Sequence, residues 1–218
     1  ALKGDNVTAP SAAMPWYEGP TLLRFLEEVQ ASPERNLIDF RFPVQLVLRP
    51  HQDFRGYAGS VASGTIRPGE EVVALPSGRT TRIREVLGPD GPLDEGFAGQ
   101  ALVLTLEDEL DVGRGDMLVR RLNLPQVGHG LDATVCWMDE APLDLSAPLL
   151  LKQTTRTVRA RVARLHHAID VDTLHRRPAQ TLGLNDIGRL ELMTDEPLCF
   201  DPYGANRGTG SFLLVDPF

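Results

Sequence analysis

Lysine is nearly missing from this sequence. Of 218 residues, 22 are lysine or arginine, and the only lysines are Lys3 and Lys152. That scarcity excludes a whole class of chemistry. A phosphate-binding loop needs Gly-x-x-x-x-Gly-Lys-Ser/Thr, with backbone N–H groups around the phosphates and the lysine on the β/γ oxygens. Here the lysines are followed by Gly4 and Gln153, so neither completes the motif, and an Asn-Lys-x-Asp base-recognition signature fails for the same reason. Nucleoside triphosphate hydrolysis is not expected from these residues alone.

Other scarcities narrow the field further. The two cysteines, Cys136 and Cys199, lie far apart, with no signal-peptide pattern and no long apolar run. This fits a reducing cytoplasm and buried, inert thiols, and it provides neither a zinc site nor a membrane span. The net charge is −8 and evenly spread: residues 1–35 carry 3 basic and 5 acidic side chains, 36–124 carry 10 and 13, and 125–218 carry 9 and 12. No segment has the basic footprint that a phosphate backbone requires, so nucleic acid is not an expected partner. No Gly-x-Ser-x-Gly nucleophile elbow is present, which leaves no catalytic residue to name.

What the sequence does have is apolar content of 42%, with 17 prolines and 20 glycines, a composition of many short strands and tight turns around buried cores. Pro20 to Gln30 reads as a helix, with proline in the first turn and Leu22, Leu26 and Val29 on one face. From Phe40 the period falls to two. Strands are expected near Phe42–Leu48, Tyr57–Ala62, Glu71–Leu75, Arg79–Val86, Gln100–Leu106 and Met117–Arg120, and again at Leu131–Trp137, Pro148–Gln153, Thr155–Leu165, Gly188–Thr194 and Gly210–Val215. His166–Asn185 reads as a long irregular connection. Two consecutive small antiparallel β-barrels after a short helical segment account for this spacing, since closure removes vulnerable edges. The expected divisions are 1–35, 36–124 and 125–218.

Several clusters invite chemistry. Asp53-Phe54-Arg55-Gly56 spells the Asp-x-x-Gly of a nucleotide switch, but with only two fixed letters and no phosphate loop the match is weak. Arg156, Arg159, Arg161 and Arg164 crowd one strand. Period two puts Arg159 and Arg161 on one face and Arg156 and Arg164 on the other. Guanidinium forks suit carboxylates or phosphates, and a solvated outer face is the competing interpretation. His166, His167, Asp170, Asp172 and His175 lie close in sequence but lack metal-ligand spacing. Trp16, Tyr17 and Trp137 read as packing residues.

Longer strings carry a resemblance. Met14-Pro15-Trp16-Tyr17, Ile66-Arg67-Pro68-Gly69-Glu70-Glu71-Val72 and Phe97-Ala98-Gly99-Gln100 are similar to elements of elongation factor Tu-like proteins. Phe40-Arg41-Phe42-Pro43-Val44-Gln45, Asp53 through Gly59, Leu75-Pro76-Ser77-Gly78, Thr155 through Val162, Leu182 through Arg189 and Phe200-Asp201-Pro202-Tyr203 resemble the large subunit of bacterial sulfate adenylyltransferase, the CysN/NodQ type. The opening Ala1-Leu2-Lys3-Gly4 is similar to the last guanine-contacting loop of such GTPases, without its serine.

The resemblance implies two translation-factor-like barrels that follow a GTPase domain absent from these residues. It implies that the whole subunit uses GTP and magnesium to drive synthesis of adenosine 5′-phosphosulfate from ATP and sulfate on a small catalytic subunit. In this reading residues 1–218 are inactive alone, hold no cofactor and serve binding and coupling. Ala1 and Leu2 would be remnants of the guanine loop. Asp53, Phe54, Arg55 and Gly56, with Arg159 and Arg161, would meet the GTPase domain of the same chain or the small subunit; ordinary turn chemistry would also explain the former set. The rival reading is a pair of translation-factor barrels that hold aminoacyl-tRNA.

Overall fold

The computed structural model describes residues 4–28 and 36–217, and the chain divides into two units, residues 1–34 and 35–218. In the first unit Thr21 opens helix α1 (Leu22–Glu28). Its Oγ1 accepts from the Arg24 N–H at 3.4 Å and its carbonyl from the Phe25 N–H at 2.9 Å. The exposed N–H groups of Leu22 and Leu23 donate to the carbonyls of Asn6 and Val7, both at 2.9 Å, so the donors that a helix start leaves free find partners. Pro20 therefore precedes the helix instead of sitting in its first turn, and Val29 and Gln30 lie outside the described residues. The helix buries none of its residues, and Leu22, Leu23, Phe25 and Leu26 are all exposed. Trp16 is 73% exposed and Tyr17 is 42% exposed, the two rings meeting edge to face, so the expectation that they are packing residues fails.

The second unit is built mainly from strands, with one short helix. Its elements are β1 (Arg41–Leu48), β2 (Gly56–Ser60), β3 (Thr65–Ile66), β4 (Glu71–Leu75), β5 (Arg79–Gly88), β6 (Gly91–Leu93), β7 (Gly96–Phe97), β8 (Ala101–Leu106), β9 (Met117–Arg120), β10 (Gln126–Cys136), β11 (Leu149–Gln153), β12 (Arg156–Ile169), β13 (Arg176–Arg177), β14 (Ile187–Phe200), the short helix α2 (Arg207–Gly210) and β15 (Leu213–Val215). The first sheet runs β4-β9-β1-β2-β8-β5, and β5 pairs back onto β4, closing a ring of six antiparallel strands. Alternation is clear in β5, where Thr81 and Ile83 point inward until a bulge between Ile83 and Glu85 shifts the register and turns Val86 inward. Phe40, Phe42, Tyr57, Ile83, Leu104 and Leu118 fill the barrel, each at most 1% exposed. Gly64 makes the approach to β1 possible. Its φ is +75°, and a Cβ there would lie 2.4 Å from the Phe40 Cα, so any side chain would collide with backbone.

The second sheet runs β10-β14-β12-β11-β15, with β13 paired to β12. Its core holds Leu131, Leu149, Leu151, Leu182, Leu190, Leu192 and Leu198. Two expectations change here. Strand β12 continues four residues past Leu165 and pairs with β13, so part of the supposed irregular connection is sheet. Bulges between Val162 and Arg164 and between Leu165 and His167 break the period of two and hide the strand in the sequence. The first of these bulges also turns Arg164 outward, away from the face expected for it with Arg156.

Candidate functional site

Phe40-Arg41-Phe42 places a charge inside an apolar strand, and the fold shows why. Arg41 is 1% exposed and reaches from β1 across to the second sheet. Its Nε donates to Asp201 Oδ2 and its Nη2 to Asp201 Oδ1, each at 2.9 Å. Nη1 donates to the carbonyls of Phe40 at 3.0 Å and Asn123 at 2.8 Å. Asp201 also accepts from the Thr209 hydroxyl at 2.6 Å. This is the bidentate fork that guanidinium and carboxylate form best, with the remaining donors and lone pairs satisfied.

Further contacts surround this pair. Asn206 caps α2 through its Oδ1, which accepts from Gly208 N–H at 3.1 Å, while its Nδ2 donates to Ser63 Oγ at 2.7 Å. The Gln153 amide donates to the carbonyls of Cys199 and Thr209 at 2.9 and 2.7 Å. Arg156, half-buried, pairs with Glu196 at 2.6 Å and reaches Asp116 at 3.8 Å. Burial raises the Asp116 carboxyl above its ordinary range, opposed by the Gly113 N–H and by Arg156. Val73, Leu75, Met117 and Val119 from the first sheet pack on Cys199 of the second. The joint combines a dry apolar patch with a satisfied polar network, an arrangement that fixes one geometry between the two sheets.

The residues singled out from sequence fall elsewhere. Ala1 and Leu2 lie outside the described residues. Asp53, exposed, and Phe54 form the turn between β1 and β2. The Phe54 ring lies 5.9 Å from that of His51, and Arg55 stacks its guanidinium 5.5 Å from the centre of the Tyr57 ring. Gly56 is glycine because a Cβ there would meet Val103 at 2.6 Å and the Phe54 ring at 2.8 Å. Tyr57 donates to the Leu110 carbonyl at 3.1 Å, and burial raises its phenol above the usual value despite nearby Arg55 and Arg49. Arg159 and Arg161 stand exposed on the outer face of β12, opposite Leu150 and Met193, with no ion pair among the described residues. The structure does not bring the loop residues and these arginines into a common cavity.

Other expectations need correction or completion. Cys136 is exposed, because it falls on the outward face of β10 with Asp132 and Thr134, and only Cys199 is buried. Burial pushes the Cys199 thiol up to about 11. Trp137 does pack on the second core, and its Nε1 donates to the Ala141 carbonyl at 2.7 Å. Asp170 spends its carboxylate on the local turn, accepting from Thr173 N–H and Oγ1, both at 2.8 Å, which lowers its pKa. Among the described residues no three His, Cys, Asp or Glu side chains are gathered as a metal site. No helix among them is long and apolar enough to cross a membrane.

The closed first barrel and the second antiparallel sheet joined to it form a fold also found in a translation elongation factor of known structure. Residues 130–217 match the family described as GTP-eEF1A C-terminal domain-like. The fold is shared with sup35 complexed with GMPPNP, at TM-score 0.73 and 20% identity, over 99% of this chain and 54% of that one. It is also shared with translation elongation factor SelB from Methanococcus maripaludis, at TM-score 0.62 and 15% identity, over 83% and 39%.

The particular kinship is narrower. Over 223 residues the chain is 52% identical to the bifunctional enzyme CysN/CysC of Mycobacterium tuberculosis, covering 100% of this chain and 36% of that protein. It is 48% identical over 217 residues to sulfate adenylyltransferase subunit 1 of Bacteroides fragilis, covering 100% and 46%. The chain is a homologue of the sulfate adenylyltransferase subunit 1 and CysN/CysC proteins along its whole length, and spans less than half of each of these two relatives.

Proposed function

We propose that residues 1–218 serve binding and coupling in the GTP-hydrolysing subunit of a sulfate adenylyltransferase. In this reading the longer protein binds GTP and magnesium in a separate nucleotide domain. A small catalytic subunit joins ATP and sulfate into adenosine 5′-phosphosulfate and pyrophosphate. The residues described here contribute no catalytic group. The observation that carries the reading is 48% identity, along the whole of this chain, to 46% of a sulfate adenylyltransferase subunit 1. The buried joint supplies a physical means: two sheets locked through Arg41 and Asp201 move as one body, so a displacement imposed at one end is delivered at the other. Arg159, Arg161 and the Asp53–Gly56 loop are the proposed contact points, because they present charge and aromatic surface away from the joint.

Titrating the 218-residue chain with the small catalytic subunit by calorimetry tests this. The expected result is saturable association, with no binding of a fluorescent GTP analogue by the chain alone. Absence of association, together with a shift of aminoacyl-tRNA at physiological salt, would replace the reading with the translation-factor one.

A further inference from the structure

The second sheet sorts its cations into two groups. Arg156, Arg177 and Arg189 each hold a carboxylate, at 2.6, 2.7 and 2.6 Å. Lys152 of β11 and Arg159, Arg161 and Arg164 of β12 are exposed and hold none, and their side chains make no hydrogen bond or ring contact among the described residues. A strict period of two would leave Arg164 on the opposite face from Arg159 and Arg161. The bulge between Val162 and Arg164 absorbs one residue, so Arg164 emerges beside Glu191 on the same face that sets Arg161 beside Met193. Bulges re-aim side chains in this way. The three guanidinium groups therefore stand in one row. From Arg159 to Arg164 it covers four ladder steps, about 13 Å at ~3.3 Å per step.

Apolar side chains flank the row on its β11 side. In register across β15, β11 and β12 lie Leu213, Lys152 and Thr157, and then Val215, Leu150 and Arg159. Leu213 is 63% and Val215 44% exposed, while the alternate residues Phe212 and Leu214 pack on the core. On the β14 side the row is bounded by acids. Asp195 accepts from the Arg159 backbone N–H at 3.1 Å, and Glu191 stands opposite Arg164. A nucleic-acid backbone laid along the row would meet these acids, on a chain of net charge −8. The residues paired with Arg159 and Arg161 are Leu150 and Met193, so no aromatic ring stands there for a base to stack on.

We propose that this outer face of β11, β12 and β15 docks the small catalytic subunit through a row of carboxylates on that subunit. The arginine spacing matches two or three carboxylates about 6–7 Å apart, as on alternate residues of a strand or successive turns of a helix. Forks with no internal partner meet carboxylates without first breaking a pair, and Leu213 and Val215 supply apolar contact beside them. Lys152 and Arg164 extend the footprint beyond Arg159 and Arg161. A face so polar and so solvated steers a separate molecule to its seat. The contact made within the chain, at the Arg41–Asp201 joint, is by contrast dry and fully paired. This inference rests on the proposed coupling role and narrows it, giving the face to the partner subunit instead of to the nucleotide domain of the same chain.

Titrating the full chain with the small catalytic subunit at low and high salt tests it. The double variant Lys152→Glu, Arg164→Glu should weaken association by about tenfold at ~0.05 M salt and by much less at ~0.5 M, where screening is strong. Its urea midpoint should match that of the unaltered chain, since all the changed groups are solvated. Unchanged affinity in the variant, while the unaltered pair associates, overturns this inference and leaves the coupling role standing. No association of the unaltered pair overturns the coupling role and this inference with it. A loss that is equal at both salts, or that comes with a lower urea midpoint, overturns the inference as well. So does RNA binding by the unaltered chain that the double variant abolishes, which would give the row to a phosphate backbone.

Discussion

The first sheet completes its hydrogen-bond ring and the second does not, although both are antiparallel, apolar within and joined through one buried ion pair. The contrast separates two sources of order. A closed ring leaves no edge, so every strand is held from both sides and bulk packing reaches around the barrel. An open sheet depends more on what holds it elsewhere. Here β14 carries the joint at its end, where Cys199 packs on the first sheet, and Asp201 lies one residue beyond it. The second sheet is therefore held firmly along β14 and weakly at β10 and β15.

The largest test of this picture strikes the shared support. Arg41→Leu leaves the Asp201 carboxylate buried without its main partner, and urea unfolding should show a loss of about 3–5 kcal/mol. Asp201→Leu should cost about as much, and the two changes together less than their sum, since the double variant buries no unpaired charge. A simple sum would mean that the residues do not act as a pair. The next test sets one sheet against the other. Leu104→Ala, in the closed barrel and fully buried, should cost about 2–5 kcal/mol. Leu131→Ala, beside the open seam, should cost less, about 1–2 kcal/mol, because surroundings with a free side can collapse. Equal losses would erase the distinction between the sheets.

The two cysteines report the same contrast without altering the protein's core. Cys136 lies exposed on the open edge, whereas Cys199 sits in the joint with its thiol raised to about 11. Burial both shields the Cys199 sulfur and disfavours its thiolate, the reactive form. A thiol reagent should therefore modify Cys136 at least about tenfold faster, with peptide mapping identifying the site. In urea the rates should converge. Comparable rates in the native protein would show that the joint opens readily.

Short apolar runs bounded by turn residues are legible in the sequence. β4 and β9, buried along nearly their whole length, have the bounds expected for them, whereas the long connection is misread where bulges in β12 interrupt the alternation. The joint was missed for a different reason. Arg41 and Asp201 are 160 positions apart, and nothing local specifies their pairing. The available signal was an arginine between two phenylalanines, a charge that an apolar strand tolerates only with a buried partner. The seam was hidden too, because alternation in β10 specifies an inward face but does not reveal whether its outer edge has a neighbour.

The smallest effect on stability is expected from the exposed arginines, and there the result bears on function. Arg159 and Arg161 stand on β12, in the middle of the second sheet, where both flanking ladders are intact. Reversing both, Arg159→Glu and Arg161→Glu, should shift unfolding by no more than about 0.5 kcal/mol, since neither holds an ion pair among the described residues and both are solvated. Association with the small catalytic subunit should nonetheless weaken by about tenfold or more if these forks meet carboxylates on it, and the loss should shrink as salt is raised. An unchanged affinity would remove both arginines from the interface and leave the Asp53–Gly56 turn as the proposed contact. A large loss of stability would instead mean that the outer face of β12 supports the sheet, placing the firm part of the second barrel beyond β14.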